Sequence, residues 1–193
     1  NLERRGEVLH AIEAGGNETA QMAELVATDI VWIHLETMQR LGVEYDFLPQ
    51  ESEILRLKFW EAAFERLKPT GAIELATAGK NAGCWVMRLS AAADAEGAGQ
   101  REGEEADEQD TKIIVRSNGT VTYVGKDIAY QMWKFGLLGK DFQYRRFETY
   151  GDGHVVWMSA AEGGEKGAPE FGRAARVYNV IDSRQAYLQN VVV

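Results

Sequence analysis

The chain is predicted to be an α/β protein with a partly parallel sheet. Three helical stretches come first, followed by β-prone runs with a helix set between them, an order that favours mixed α/β packing. Met22, Leu25, Val26, Ile30, Ile33, Leu35, Met38 and Leu41 recur close to the 3.6-residue period of a helix. Asn118-Gly119 stands between two β-prone runs, where a tight hairpin turn needs residues that tolerate positive φ.

In chain order, a helix is expected over 2–14, with Asn1 as its cap and Gly15-Gly16 as its stop. A longer helix follows over 18–41 and ends at Gly42. Residues 44–48 form a short strand halted by Pro49. A third helix is expected over 51–68, with Ile54, Leu55, Phe59, Ala62, Ala63 and Leu67 on its apolar side. Strands are expected over 72–77, 84–89 and 112–117, the last pairing as a hairpin with 120–124. A helix begun by Asp127 covers 126–138, and further strands cover 142–147, 154–158 and 177–181. Residues 160–176 read as loop, and 182–184 open a final helix.

Charge is unevenly placed. The 193 residues carry a formal net charge of −9. Asp94, Glu96, Glu102, Glu104, Glu105, Asp107, Glu108 and Asp110, against Arg101 alone, put −7 of it between 91 and 110. That segment has no large apolar residue and is expected to be a mobile loop. The rest is near neutral, so charge neither demands nor forbids an RNA partner. No apolar run is long enough for a membrane span, which needs roughly 18 or more residues. Cys84 is the only cysteine, so no intrachain disulfide forms, and a cytoplasmic location is expected.

Several chemistries are disfavoured. His10, His34 and His154 are far apart, and neither His-x-x-x-His nor Cys-x-x-Cys occurs, so no metal is expected. Cys84 beside Trp85 and Val86 reads as a small buried hydrophobe. The glycines at 163, 164 and 167 lack the strand–turn–helix setting of a phosphate loop. Lys112, Arg116, Lys126, Lys134, Lys140, Arg145 and Arg146 interleave with Trp133, Phe135, Phe142 and Tyr144, as surfaces that hold single-stranded RNA do; a solvated face over core aromatics is the preferred reading.

The informative stretch is Gly119 to Ala129. Tyr123 is expected at a strand end and Asp127 at a helix start, where ligands gather in open α/β sheets. A carboxylate beside a phenol can hold a planar cation. The plainer alternative is that Asp127 caps its helix and Tyr123 packs on a strand face.

The run from Val115 to Tyr130, with Ser117-Asn118-Gly119-Thr120, Tyr123 and Asp127-Ile128-Ala129-Tyr130, resembles the "SDGT-x-x-Y…DIAY" pattern of arginyl-tRNA synthetases. Tyr178-Asn179-Val180-Ile181-Asp182-Ser183-Arg184-Gln185 resembles that family's next core strand, and Leu41-Gly42-Val43-Glu44-Tyr45-Asp46 with Glu51-Ser52 resembles its "LGV-x-(F/Y)D…ES" segment. The resemblance implies a class I synthetase, with a Rossmann-like nucleotide-binding domain interrupted by an insertion. On it, residues 1–111 are the connective insertion region and 112–193 part of the second half of the catalytic core. Tyr123, Asp127 and Gln185 line the pocket for arginine. The parent enzyme attaches arginine to its tRNA through an arginyl-adenylate, using ATP and Mg2+.

The family's "HIGH" and "KMSKS" signatures are absent from this sequence. The resemblance therefore implies an internal fragment of the catalytic domain, inactive alone, because those signatures position and stabilise the ATP phosphates. A free-standing synthetase-derived module that binds arginine or another protein is the rival expectation.

Overall fold

The computed structural model describes residues 2–88 and 111–183, with side chains from residue 4 onward. The acidic segment 91–110 and Gln185 lie outside the described residues. The chain divides into two compact units, each built from two separate stretches: residues 1–58 with 141–171, and residues 59–140 with 172–193.

Unit 1 begins with α1 (Leu2–Ala14) and α2 (Glu18–Arg40). Asn17 caps α2, its side-chain oxygen accepting from the Ala20 amide at 3.0 Å. The apolar residues of α2 recur as the sequence predicts, yet only Leu35 among them is buried, while Met22, Leu25, Val26, Ile30 and Ile33 are exposed. Strand β1 (Phe47–Leu48) and helix α3 (Glu51–Arg56) follow. The predicted single helix over 51–68 is two helices, because Lys58 turns the chain at φ +57°. Farther along come β5 (Gln143–Thr149) and β6 (Val155–Ala160).

These strands form a sheet in the order β1–β6–β5, with β1 parallel to β6 and β5 antiparallel to it. The mixed α/β class and a parallel pair were both expected; the other ladders are antiparallel. Tyr144, Val156, Trp157 and Met158 are buried, and because successive side chains of a strand point to opposite faces, β6 is covered on both. Phe47 stacks on Phe171 at 4.8 Å between ring centroids. Gln50 donates its amide proton to the fully buried Ser159 hydroxyl at 2.7 Å, fixing the entry to α3 on β6.

Unit 2 opens with α4 (Phe59–Leu67), which buries Phe59, Trp60 and Ala63. Its sheet runs β2 (Glu74–Leu75), β3 (Trp85–Arg88) and β4 (Thr111–Val115), all antiparallel. Helix α5 (Tyr123–Lys134) carries Val124, Ile128, Ala129 and Trp133 into the core with Ile114 and Val115. Cys84 is buried, as expected of a small hydrophobe.

Two expectations fail here. The strand predicted over 177–181 does not form: Tyr178 is 82% and Val180 100% exposed, and no ladder among the described residues takes it up. The hairpin predicted over 112–124 still reverses at Gly119, but Asn118 does not take positive φ and the second arm is lost. Gly119 takes φ +84° and Arg116 N–H donates to Thr120 O, but only Val121 bridges back, to Val115.

Candidate substrate-binding site

Thr122 explains why that arm stops. Its amide donates to Ile114 O at 2.9 Å, closing the last link to β4. Its hydroxyl faces the carbonyls of Ile113 and Ile114 at 2.9 and 3.1 Å, and its oxygen accepts from the Gly125 amide at 3.5 Å. One threonine thus ends the strand pairing and caps the helix. Tyr123 is consequently the first residue of α5 rather than the end of a strand. Asp127 lies in the second turn rather than at the helix start, so it does not cap the helix.

This correction brings the two residues together in a definite way. At i and i+4 on one helix, Tyr123 and Asp127 share a face, with Cβ atoms about 5–6 Å apart. Both are exposed, Tyr123 by 57%. The opposite face of α5 is buried against β4, and Gly125 makes that approach feasible. A Cβ there would meet Val121 Cγ1 at 2.8 Å and the Ile114 carbonyl at 3.2 Å.

The face continues one turn on through Gln131 to Lys134, groups that sequence reasoning did not place in the site. Gln131 is 9% exposed and its Oε1 accepts from Lys134 Nζ at 3.2 Å. The same ammonium donates to Asn179 Oδ1 at 3.3 Å and sits 4.6 Å from the Tyr130 ring centroid. Burial pulls the Lys134 pKa below its usual range, and the charge of Asp127 partly restores it. Burial also pushes the Tyr130 phenol up to about 12, so it stays protonated. The signal for this extension was spacing: 123, 127 and 131 step by four.

Asn179 belongs to the segment that follows Phe171. Ala174 N–H donates to Lys134 O at 2.7 Å, tying that segment to the end of α5. The sequence placed Asn179 in a strand leading to Gln185; Asn179 is instead held by Lys134. Of the aromatics in the basic–aromatic stretch, Trp133, Phe142 and Tyr144 are buried, as expected of core residues, whereas Phe135 is 39% exposed. Among the described residues no group of three or more His, Cys, Asp or Glu is arranged to hold a metal. No described helix is long and apolar enough to cross a membrane.

No family model matches the chain. It is similar to the arginine–tRNA ligase of Deinococcus radiodurans, 36% identical over 186 residues, covering 96% of this chain and 28% of that protein. The Thermococcus sibiricus arginine–tRNA ligase is 33% identical over 185 residues, again over 96% of this chain and 27% of its own length. Among solved structures, Thermus thermophilus arginyl-tRNA synthetase matches with a TM-score of 0.69 and 32% identity, over 97% of this chain and 28% of that one. The chain spans between a quarter and a third of the length of these relatives. Sequence and fold thus agree, along nearly all of this chain, with one portion of an arginyl-tRNA synthetase.

Proposed function

We propose that the chain is part of the catalytic domain of an arginine–tRNA ligase, with Tyr123 and Asp127 contributing to the arginine pocket. One observation carries this reading: the phenol and the carboxylate are exposed one turn apart on the same face of α5, at the end where the chain leaves β4. Asp127 would accept from the guanidinium, and the Tyr123 ring and hydroxyl would bound the substrate beside it. A fixed carboxylate discriminates against neutral citrulline, and lysine cannot match the planar fork. Gln185, by resemblance, completes the pocket. Residues 1–111 would be the connective insertion and 112–193 part of the second half of a Rossmann-like core.

The complete protein would work in the cytoplasm, forming arginyl-adenylate from ATP with Mg2+ and then esterifying tRNA(Arg). The 193 residues alone would form no adenylate, because no "HIGH" or "KMSKS" group is present to stabilise charge on the phosphates.

The test is arginine activation by the protein encoded by the whole gene. Asp127→Asn should raise the KM for arginine about tenfold or more, the scale of a lost charged hydrogen bond. An unchanged KM would remove Asp127 from the pocket. Arginine-dependent pyrophosphate exchange by the 193-residue chain would remove the fragment reading.

A further inference from the structure

Unit 1 contains a cleft of about 510 Å³ between the α1–α2 turn, α3 and the end of β6. Its size is that of a small-molecule site. Glu53 lines it with a side chain only 7% exposed, and Glu53 Oε2 has no hydrogen-bond partner. Such a carboxylate oxygen is costly to leave unmet. Glu53 Oε1 lies 3.5 Å from Arg56 Nη1, so the pairing it has is loose.

The charge of the lining indicates what would meet that oxygen. Glu13, Glu24, Glu51 and Glu162 join Glu53, against Arg56 and Arg145. Arg145 is already committed to Glu24 at 2.5 Å. An anion would face an excess of carboxylates. A metal ion is disfavoured because no three potential ligands converge among the described residues. Ligands that remain are organic cations, which combine positive charge with N–H donors.

We propose that this cleft binds a small organic cation, an alkylammonium or guanidinium, with Glu53 as its anchoring acceptor. Arg56 is the movable wall. Its side chain is 40% exposed and its guanidinium rests over Gly15, at 3.6 Å from where a Cβ would stand. Swinging it into solvent opens both oxygens of Glu53, and the incoming cation takes its place. This site lies in unit 1 and does not depend on the arginine pocket proposed around Asp127.

The test is an NMR titration of the 193-residue chain with methylammonium chloride, methylguanidinium chloride and neutral urea, at ionic strength held constant with sodium chloride. Saturable shifts of the Gly15, Gly16 and Ser52 amides are expected with the two cations and not with urea. Glu53→Gln should weaken the binding tenfold or more, while Asp127→Asn leaves it unchanged. Non-saturating shifts, an equal response to urea, or full binding by Glu53→Gln would overturn the proposal, as would loss of binding in Asp127→Asn alone. Should Glu53→Gln lose its amide dispersion, Glu53→Asp, which withdraws the carboxylate by one methylene, decides by the same criterion.

Discussion

Lys134 Nζ donates to Asn179 Oδ1 across 3.3 Å, joining α5 to a segment 45 residues farther along the chain. The same ammonium is partly desolvated, and Asp127 is the charge that offsets that burial. Asp127→Asn should therefore lower the Lys134 pKa further below the ordinary lysine range. Titration of the lysine Cε resonances with and without the substitution checks this. A rise, or no change, would show that Asp127 does not face the ammonium.

Gly125 separates Tyr123 from Asp127 and lets α5 lie against β4. Gly125→Ala would improve helix propensity in isolation, by up to about 1 kcal/mol. The added methyl meets the Ile114 carbonyl and Val121, however, and the backbone is the harder of these to displace. Overpacking should win, destabilising the chain by about 1–3 kcal/mol. Chemical denaturation measures it, and a net gain in stability would contradict the packing described for this helix.

What sequence reveals depends on whether the cause is local. The stops of α1 and α2 at Gly15 and Gly42 and the turn at Gly119 are legible because each rests on neighbouring residues. The break at Lys58 was not, since the apolar spacing runs across it and only a positive φ interrupts the helix. The apolar spacing of α2 and the apolar run Val177 to Ile181 both call for a covering surface. A periodicity reports that need without naming who meets it, and among the described residues Met22, Val26 and Val180 stay exposed. At the candidate site, the residue types Tyr123 and Asp127 were legible, but their relation was not. It hinges on Thr122, whose hydroxyl serves the strand and the helix together.

His154 is held between two carboxylates, with Nδ1 3.4 Å from Glu44 Oε2 and Nε2 2.9 Å from Asp46 Oδ1. Hydrogen bonding to Glu44, and then to Asp46, raises its pKa above 6.5 despite some desolvation. A histidine raised in the folded state contributes stability fully below its unfolded value, and loses it as pH rises through the folded value. Unit 1 should accordingly weaken as pH climbs from about 6.5, and His154→Gln should remove that slope. Thermal denaturation across pH 6–8 provides the measurement, with Glu44→Gln expected to bring the imidazole titration down.

Glu53 gives the opposite experiment, on an acid. Burial raises its pKa above 4.5, with Arg56 opposing the shift. The folded state then holds the proton more tightly than the unfolded chain, so this group's contribution falls as pH rises from 4.5 through the folded value. Glu53→Gln keeps the shape and removes the buried charge, and Arg56, 40% exposed, can turn to water. At pH 7 the substitution should stabilise the chain by about 1 kcal/mol, raising the melting temperature by about 2–4 °C. At pH below 4.5 the advantage should vanish, because the wild-type carboxyl is then protonated in both states. Denaturation of both proteins at the two pH values decides it. A variant weaker at pH 7 would mean that the Arg56 pairing outweighs the burial of the charge.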